Sequence, residues 1–117
     1  MTRRIFLLLF AMTASLFARE AKEDARIDAL LKKVASLEGA TFIRNGSEHS
    51  AKEAAGHLRK KLGRAGERVK TAEDFIDGCA TKSSITGKPY KIRFSDGSEK
   101  ESGPYLHGEL KKIGAAG

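Results

Sequence analysis

A single cysteine, Cys79, stands in a chain of 117 residues, so no internal disulfide can form. A small domain without such a staple must hold itself together by packing alone. The N-terminal region has no cysteine either, which leaves no acceptor for a lipid at a newly exposed end. The longest apolar run, Ile5 to Met12, falls short of the about 20 residues that a bilayer crossing needs. Internal repeats and domain-sized linkers are absent. So are a G-x-S-x-G elbow, an S-x-x-K motif and an H-E-x-x-H motif, the local signatures of common hydrolases and zinc peptidases. Gly87-Lys88 comes nearest to a phosphate loop, but Pro89 follows where Ser or Thr is required.

What is present begins with a secretory layout. Arg3 and Arg4 form a basic start, Ile5 to Met12 (IFLLLFAM) an apolar stretch, and Thr13 to Ala18 a run with small residues ahead of the charged Arg19-Glu20. This predicts a signal peptide over residues 1–18, cut after Ala18 or alternatively after Ser15, and one domain over residues 19–117. A retained anchor helix is the competing outcome, since the basic flank suits either. Without Arg3 and Arg4 the remaining 99 residues hold 20 basic against 15 acidic side chains, a formal +5. In an exported protein, periplasmic or secreted and not membrane-spanning after cleavage, that balance favours an anionic cell-envelope ligand or another envelope protein as partner. Export, and the lack of exposed aromatics between the basic residues, argue against nucleic acid.

The 40% hydrophobic content is deployed in recognisable periods. From Glu20 to Glu38, Ile27, Leu30, Leu31, Val34 and Leu37 make a helical stripe, with Lys22, Glu23, Arg26, Lys32 and Lys33 around it and Gly39 as the stop. Thr41 to Arg44 reads as a strand, Asn45-Gly46 as a type I′ turn and Ser47 to His49 as the return. Ser50 and Glu53 spell a capping box opening a helix with the stripe Ala51, Ala54, Ala55, Leu58, Leu62, ended by Gly63 and Gly66. Thr71 and Asp74 open a third, whose phase through Ala72, Phe75, Ile76 and Cys79 points the cysteine inward, with Gly78 expected to begin the unwinding. A hydroxyl-rich loop follows, holding Thr81, Lys82, Ser83, Ser84, Thr86 and Lys88. Tyr90, Ile92 and Phe94 alternate as a strand, Asp96-Gly97 turns it, and Ser98 to Glu101 returns as a charged edge. Pro104 suits the first turn of a last helix carrying Tyr105, Leu106, Leu110 and Ile113. The expected fold is α+β, with about four helices and one or two short antiparallel β-hairpins.

The phrases FIRNG (Phe42 to Gly46), EAAGHLRKKL (Glu53 to Leu62), TAEDFI (Thr71 to Ile76) and SSITGKPY (Ser83 to Tyr90) occur in this order. On them the chain resembles the YfeK-like family of small exported bacterial proteins of unknown function, over about Ile27 to Ile113. The resemblance implies a periplasmic setting and a single domain, and brings no activity and no catalytic residues. It also implies an aromatic residue in place of His49 and a tryptophan near Tyr105, and here the chain departs from the pattern.

Three constellations have chemical content. Glu53 and His57 are one helical turn apart with His49 upstream, donor types that suit zinc but not its usual spacing. A loop serine, Ser83 or Ser84, with His57 would make a cell-envelope hydrolase. Arg44, Asn45, Ser83, Ser84, Lys88 and Tyr90 together offer charge-assisted and neutral hydrogen bonds with one aromatic ring, suited to a carboxylate, phosphate or sugar. This last set is the candidate ligand site, in a non-enzymatic binding or interaction module that needs no metal and no cofactor. The hydrolase is the alternative.

Overall fold

The computed structural model describes residues 19–116, so the predicted signal segment lies outside the described residues. Helix α1 spans Ala21–Ala35 and buries Ile27, Leu30, Leu31 and Val34, the stripe that its periodicity predicts. Glu23 departs from the expectation of a surface charge, being only 5% exposed. It stands one turn before Ile27, in phase with the stripe, and its carboxylate accepts a hydrogen bond from the Ala72 amide at 2.9 Å. The helix also stops earlier than expected. The amide of Ser36 turns back to the Lys32 and Lys33 carbonyls, and Gly39 serves a later turn instead, with φ of 70°. A Cβ at Gly39 would lie 2.9 Å from that of Ser95, so both conformation and space demand glycine.

Strands β1 (Thr41–Arg44) and β2 (Ser47–Ser50) form the first hairpin. Asn45 and Gly46 both have positive φ, 52° and 81°, as a type I′ turn requires. Ser50 ends β2 and is also the N-cap of α2 (Ala51–Ala65), where the capping box with Glu53 is complete. No linker separates strand from helix. Gly63 lies inside α2 rather than at its end, and Gly66 opens a short 3-10 turn, Gly66–Arg68.

Thr71 and Asp74 complete the second capping box, opening α3 (Ala72–Phe75). The helix does not unwind at Gly78. It widens into a π-helical turn, Ile76–Ala80, which places Cys79 and Ala80 together in the core. Thr81 Oγ closes this turn by donating to the Ile76 carbonyl at 2.7 Å. Strands β3 (Lys91–Arg93) and β4 (Glu99–Glu101) make the second hairpin, and α4 (Ser102–Ala116) completes the chain.

The two hairpins join into one antiparallel sheet of order β2-β1-β3-β4, with Phe42 opposite both His49 and Ile92. Alternation along the strands puts Phe42, Arg44, His49 and Ile92 on one face. There Phe42 and Ile92 enter the core. The opposite face holds the Glu48–Arg93–Glu99 charge ladder, with contacts of 3.0 and 3.2 Å. Helix α1 packs on α2, α3 and α4, while α2 covers β1 and β2. No helix among the described residues is long and apolar enough to cross a membrane.

Candidate functional site

Where α2 leaves the end of the sheet, the core opens into a cavity of about 40 Å³. Its walls are mainly apolar, with basic side chains set among them. Phe42, Ala54 and Leu58 supply the apolar part, and Arg44, His49, His57 and Lys61 the polar part, with Tyr90 at one side. Each arrives there by a simple rule. Arg44 and His49 lie on the inner face of the sheet, where the two-residue turn sets their register. His57 and Lys61 are one helical turn apart on α2, beside the turn formed by Ala54 and Leu58.

The two imidazoles meet edge to face, with centroids 4.9 Å apart and planes at 82°. His49 Nε2 is buried and has no hydrogen-bond partner among the described residues. Burial pushes the pKa of His57 below its ordinary value, and the positive charges of Arg44, His49 and Lys60 add to this against an opposing contribution from Glu53. Lys61 donates to Tyr90 Oη at 3.0 Å. Arg44 has neither a hydrogen bond from its guanidinium nor an ion pair among the described residues. The site is thus electropositive and incompletely satisfied.

The sequence-derived set divides in two. Arg44 and Tyr90 line the cavity. Asn45 and Ser83 are brought together, but their side chains serve each other: Asn45 Nδ2 donates to Ser83 Oγ at 3.2 Å, and Thr86 Oγ donates to Asn45 Oδ1 at 2.6 Å. Ser83 is 4% exposed and its Oγ accepts further bonds from the Ile85 and Thr86 amides, each 3.2 Å long. Together with the Ser83 amide bonded to the Lys88 carbonyl, these contacts make the loop a self-bracing hairpin. Ser84 and Lys88 are exposed on it, and Ile85 at its tip is 91% exposed.

His57 forms no hydrogen bond to Ser83 or Ser84 among the described residues, so a serine–histidine dyad is not assembled. Glu53 is committed to the amide of Ser50, at 3.0 Å. No group of three or more His, Cys, Asp or Glu residues suited to a metal occurs among the described residues. Sequence reasoning missed Lys61 and treated His49 only as a potential metal donor. The signals were there: Lys61 stands four residues after His57, and a two-residue turn after Arg44 places His49 across from Phe42.

A sequence model described as a family of unknown function, DUF5329, matches residues 21–114. The Salmonella typhimurium (strain LT2) protein named Uncharacterized protein YfeK is 54% identical over 70 residues, covering 60% of this chain and 58% of that protein. No solved structure matches the chain.

Proposed function

The chain belongs to the DUF5329 family, whose function is unknown, and from its own residues we propose that it is an exported, non-enzymatic binding module for an anionic cell-envelope ligand. The ligand enters the cleft between α2 and the sheet. The half-buried guanidinium of Arg44, unpaired among the described residues and lining the cavity, carries this reading, because its donors are free to make charge-assisted hydrogen bonds to an anion. Tyr90 and Lys61 form the far wall, and the exposed Lys88 and Ser84 extend the contact along the loop. Asn45 and Ser83 hold the loop against the first hairpin. The signal-like residues 1–18 support export, with an N-terminus at Arg19 or, for the earlier cut, at Leu16.

A thermal-shift screen tests the proposal, with the purified protein exposed to muropeptides, lipopolysaccharide sugars and anionic lipids. A binder at 100 times its dissociation constant adds about 2.7 kcal/mol of stability. The expected result is a shift that Arg44→Ala removes and Ser84→Ala retains. Loss in Lys88→Ala with retention in Arg44→Ala would move the site to the loop. A flat response to every ligand class would leave a protein partner as the alternative.

A further inference from the structure

Deepening the anion-binding reading, on which it rests, we infer that the cavity takes the carboxylate end of its ligand together with one proton carried by the His49–His57 pair. Three features lead there. The first is size. About 40 Å³ is roughly three times the minimum of about 10–15 Å³ for one water. That admits a small anionic group such as a carboxylate. The second is the orphan Nε2 of His49. As a donor it has no acceptor among the described residues, and as an acceptor it has no donor. A carboxylate oxygen satisfies the donor form.

The third is the charge surrounding the pair. Arg44 faces it from β1, Glu53, Lys60 and Lys61 approach from α2, and Tyr90 comes from just before β3, whereas Lys91, next to Ile92 on β3, alternates to the other face of the sheet. Glu48, beside His49 on β2, is engaged by Arg93 on the other face of the sheet at 3.0 Å. Cations therefore outnumber the single facing carboxylate, and the imidazole pair resists taking another positive charge. An entering anion reverses this balance. It offsets Arg44 and accepts from an imidazolium, so the proton is bound more tightly with ligand than without. By linkage the ligand is then held more tightly as pH falls, by up to tenfold per pH unit for one proton.

Acetate is the probe, since it stays largely ionised across the relevant range. Its affinity would be followed by NMR shifts of the cavity residues at about pH 5.5 and about pH 8, where an unperturbed histidine changes charge. The imidazole titration of His57 would be recorded with and without acetate, and inorganic phosphate would be run alongside. The expected result is at least tenfold tighter acetate binding at the lower pH, an upward displacement of the His57 titration by acetate, and a flattened pH dependence in His49→Gln. The titration needs no variant, so a misfolded H49Q protein would not blunt the test. Equal acetate affinity at both pH values would overturn the proton coupling while leaving anion binding in the cleft intact. Phosphate perturbing Arg44 and Tyr90 where acetate does not would overturn the carboxylate assignment. No response of the cavity residues to either anion would overturn both this inference and the proposed function.

Discussion

Glu23 joins two helices, α1 and α3, through one carboxylate. One of its oxygens accepts from the Ala72 amide at 2.9 Å and from Arg26 at 2.8 Å, and Arg26 also bonds Glu73 at 3.1 Å. The bond to Arg26 is the main reason that the Glu73 carboxyl sits below the ordinary value. Replacing Glu23 by Ala leaves the first amide of α3 buried without an acceptor. A loss of about 1–3 kcal/mol is expected in urea unfolding, with most of it restored by Gln. Cys79 is the opposite case, a side chain defined by what it does not contact. It is 2% exposed, and burial pushes its thiol up. A disulfide-exchange reagent is expected to label it slowly in the native protein at about pH 8 and rapidly in denaturant. The inward phase of Cys79 was legible from a stripe of four residues. The role of Glu23 was not, because a hydrophobic pattern scores a carboxylate as surface and cannot see an unsatisfied amide arriving from residue 72.

Helix starts were the most readable elements. Ser50-Glu53 and Thr71-Asp74 both form their boxes, since the partners lie within one turn and need no tertiary context. Thr71→Ala is expected to cost about 1 kcal/mol in equilibrium unfolding. Helix ends were less readable. Gly63 looked like a stop, yet α2 continues past it because burial of Leu58 and partial burial of Leu62 hold the helix together around that position. A Cβ at Gly56 or Gly63 would meet nothing within 4 Å. Substituting Ala at either is therefore expected to stabilise the protein by about 0.5–1 kcal/mol, measured by denaturation midpoint. Gly103 on α4 behaves differently, since a Cβ there would lie 2.8 Å from Thr81 Oγ, the hydroxyl that closes the π turn. Gly103→Ala is expected to destabilise. The π turn itself left no mark in the sequence; Ala80 enters the core only because α4 and α2 pack against that turn.

At the scale of the molecule, the α+β composition and both hairpins were legible, but their union was not. Pairing of Phe42 with Ile92 is a long-range contact, and both hairpins alternate equally well whether or not they meet. The cavity inherits that limit: Arg44 and Tyr90 belong to different hairpins, and only the sheet brings them to one wall. Global pH dependence follows from the titrating groups. Asp28 is held below its ordinary 3.8 by Lys32, Glu53 below 4.5 by the Ser50 amide, and His57 below 6.5 by burial. Each stabilises the fold fully above its unfolded value and loses that contribution as pH falls toward its folded value. Tyr105 has the opposite sign. Burial and the Glu109 carboxylate push it up to about 12 from 10.0, so its contribution is complete below 10.0 and lost as pH rises toward 12. Melting temperature is thus expected to be flat from about pH 7 to 9, to decline gently below about 6.5 and steeply below about 4.5, and to fall again above about 9, where first the buried Cys79 thiol and then Tyr105 lose their contributions.

The corner at Ser50, where strand becomes helix without a spacer, also sets the order in which the protein assembles. His49 and His57 share one continuous segment, and a loop of about ten residues closes in about 10–100 ns. The first hairpin and α2 can therefore come together before β3 arrives, since pairing β1 with β3 must first close a much longer stretch of chain. Pulsed hydrogen exchange during refolding should find the α2 amides protected ahead of those of β3. The histidine pair would then be a feature of the folding nucleus, completed into a cavity when the last strands dock.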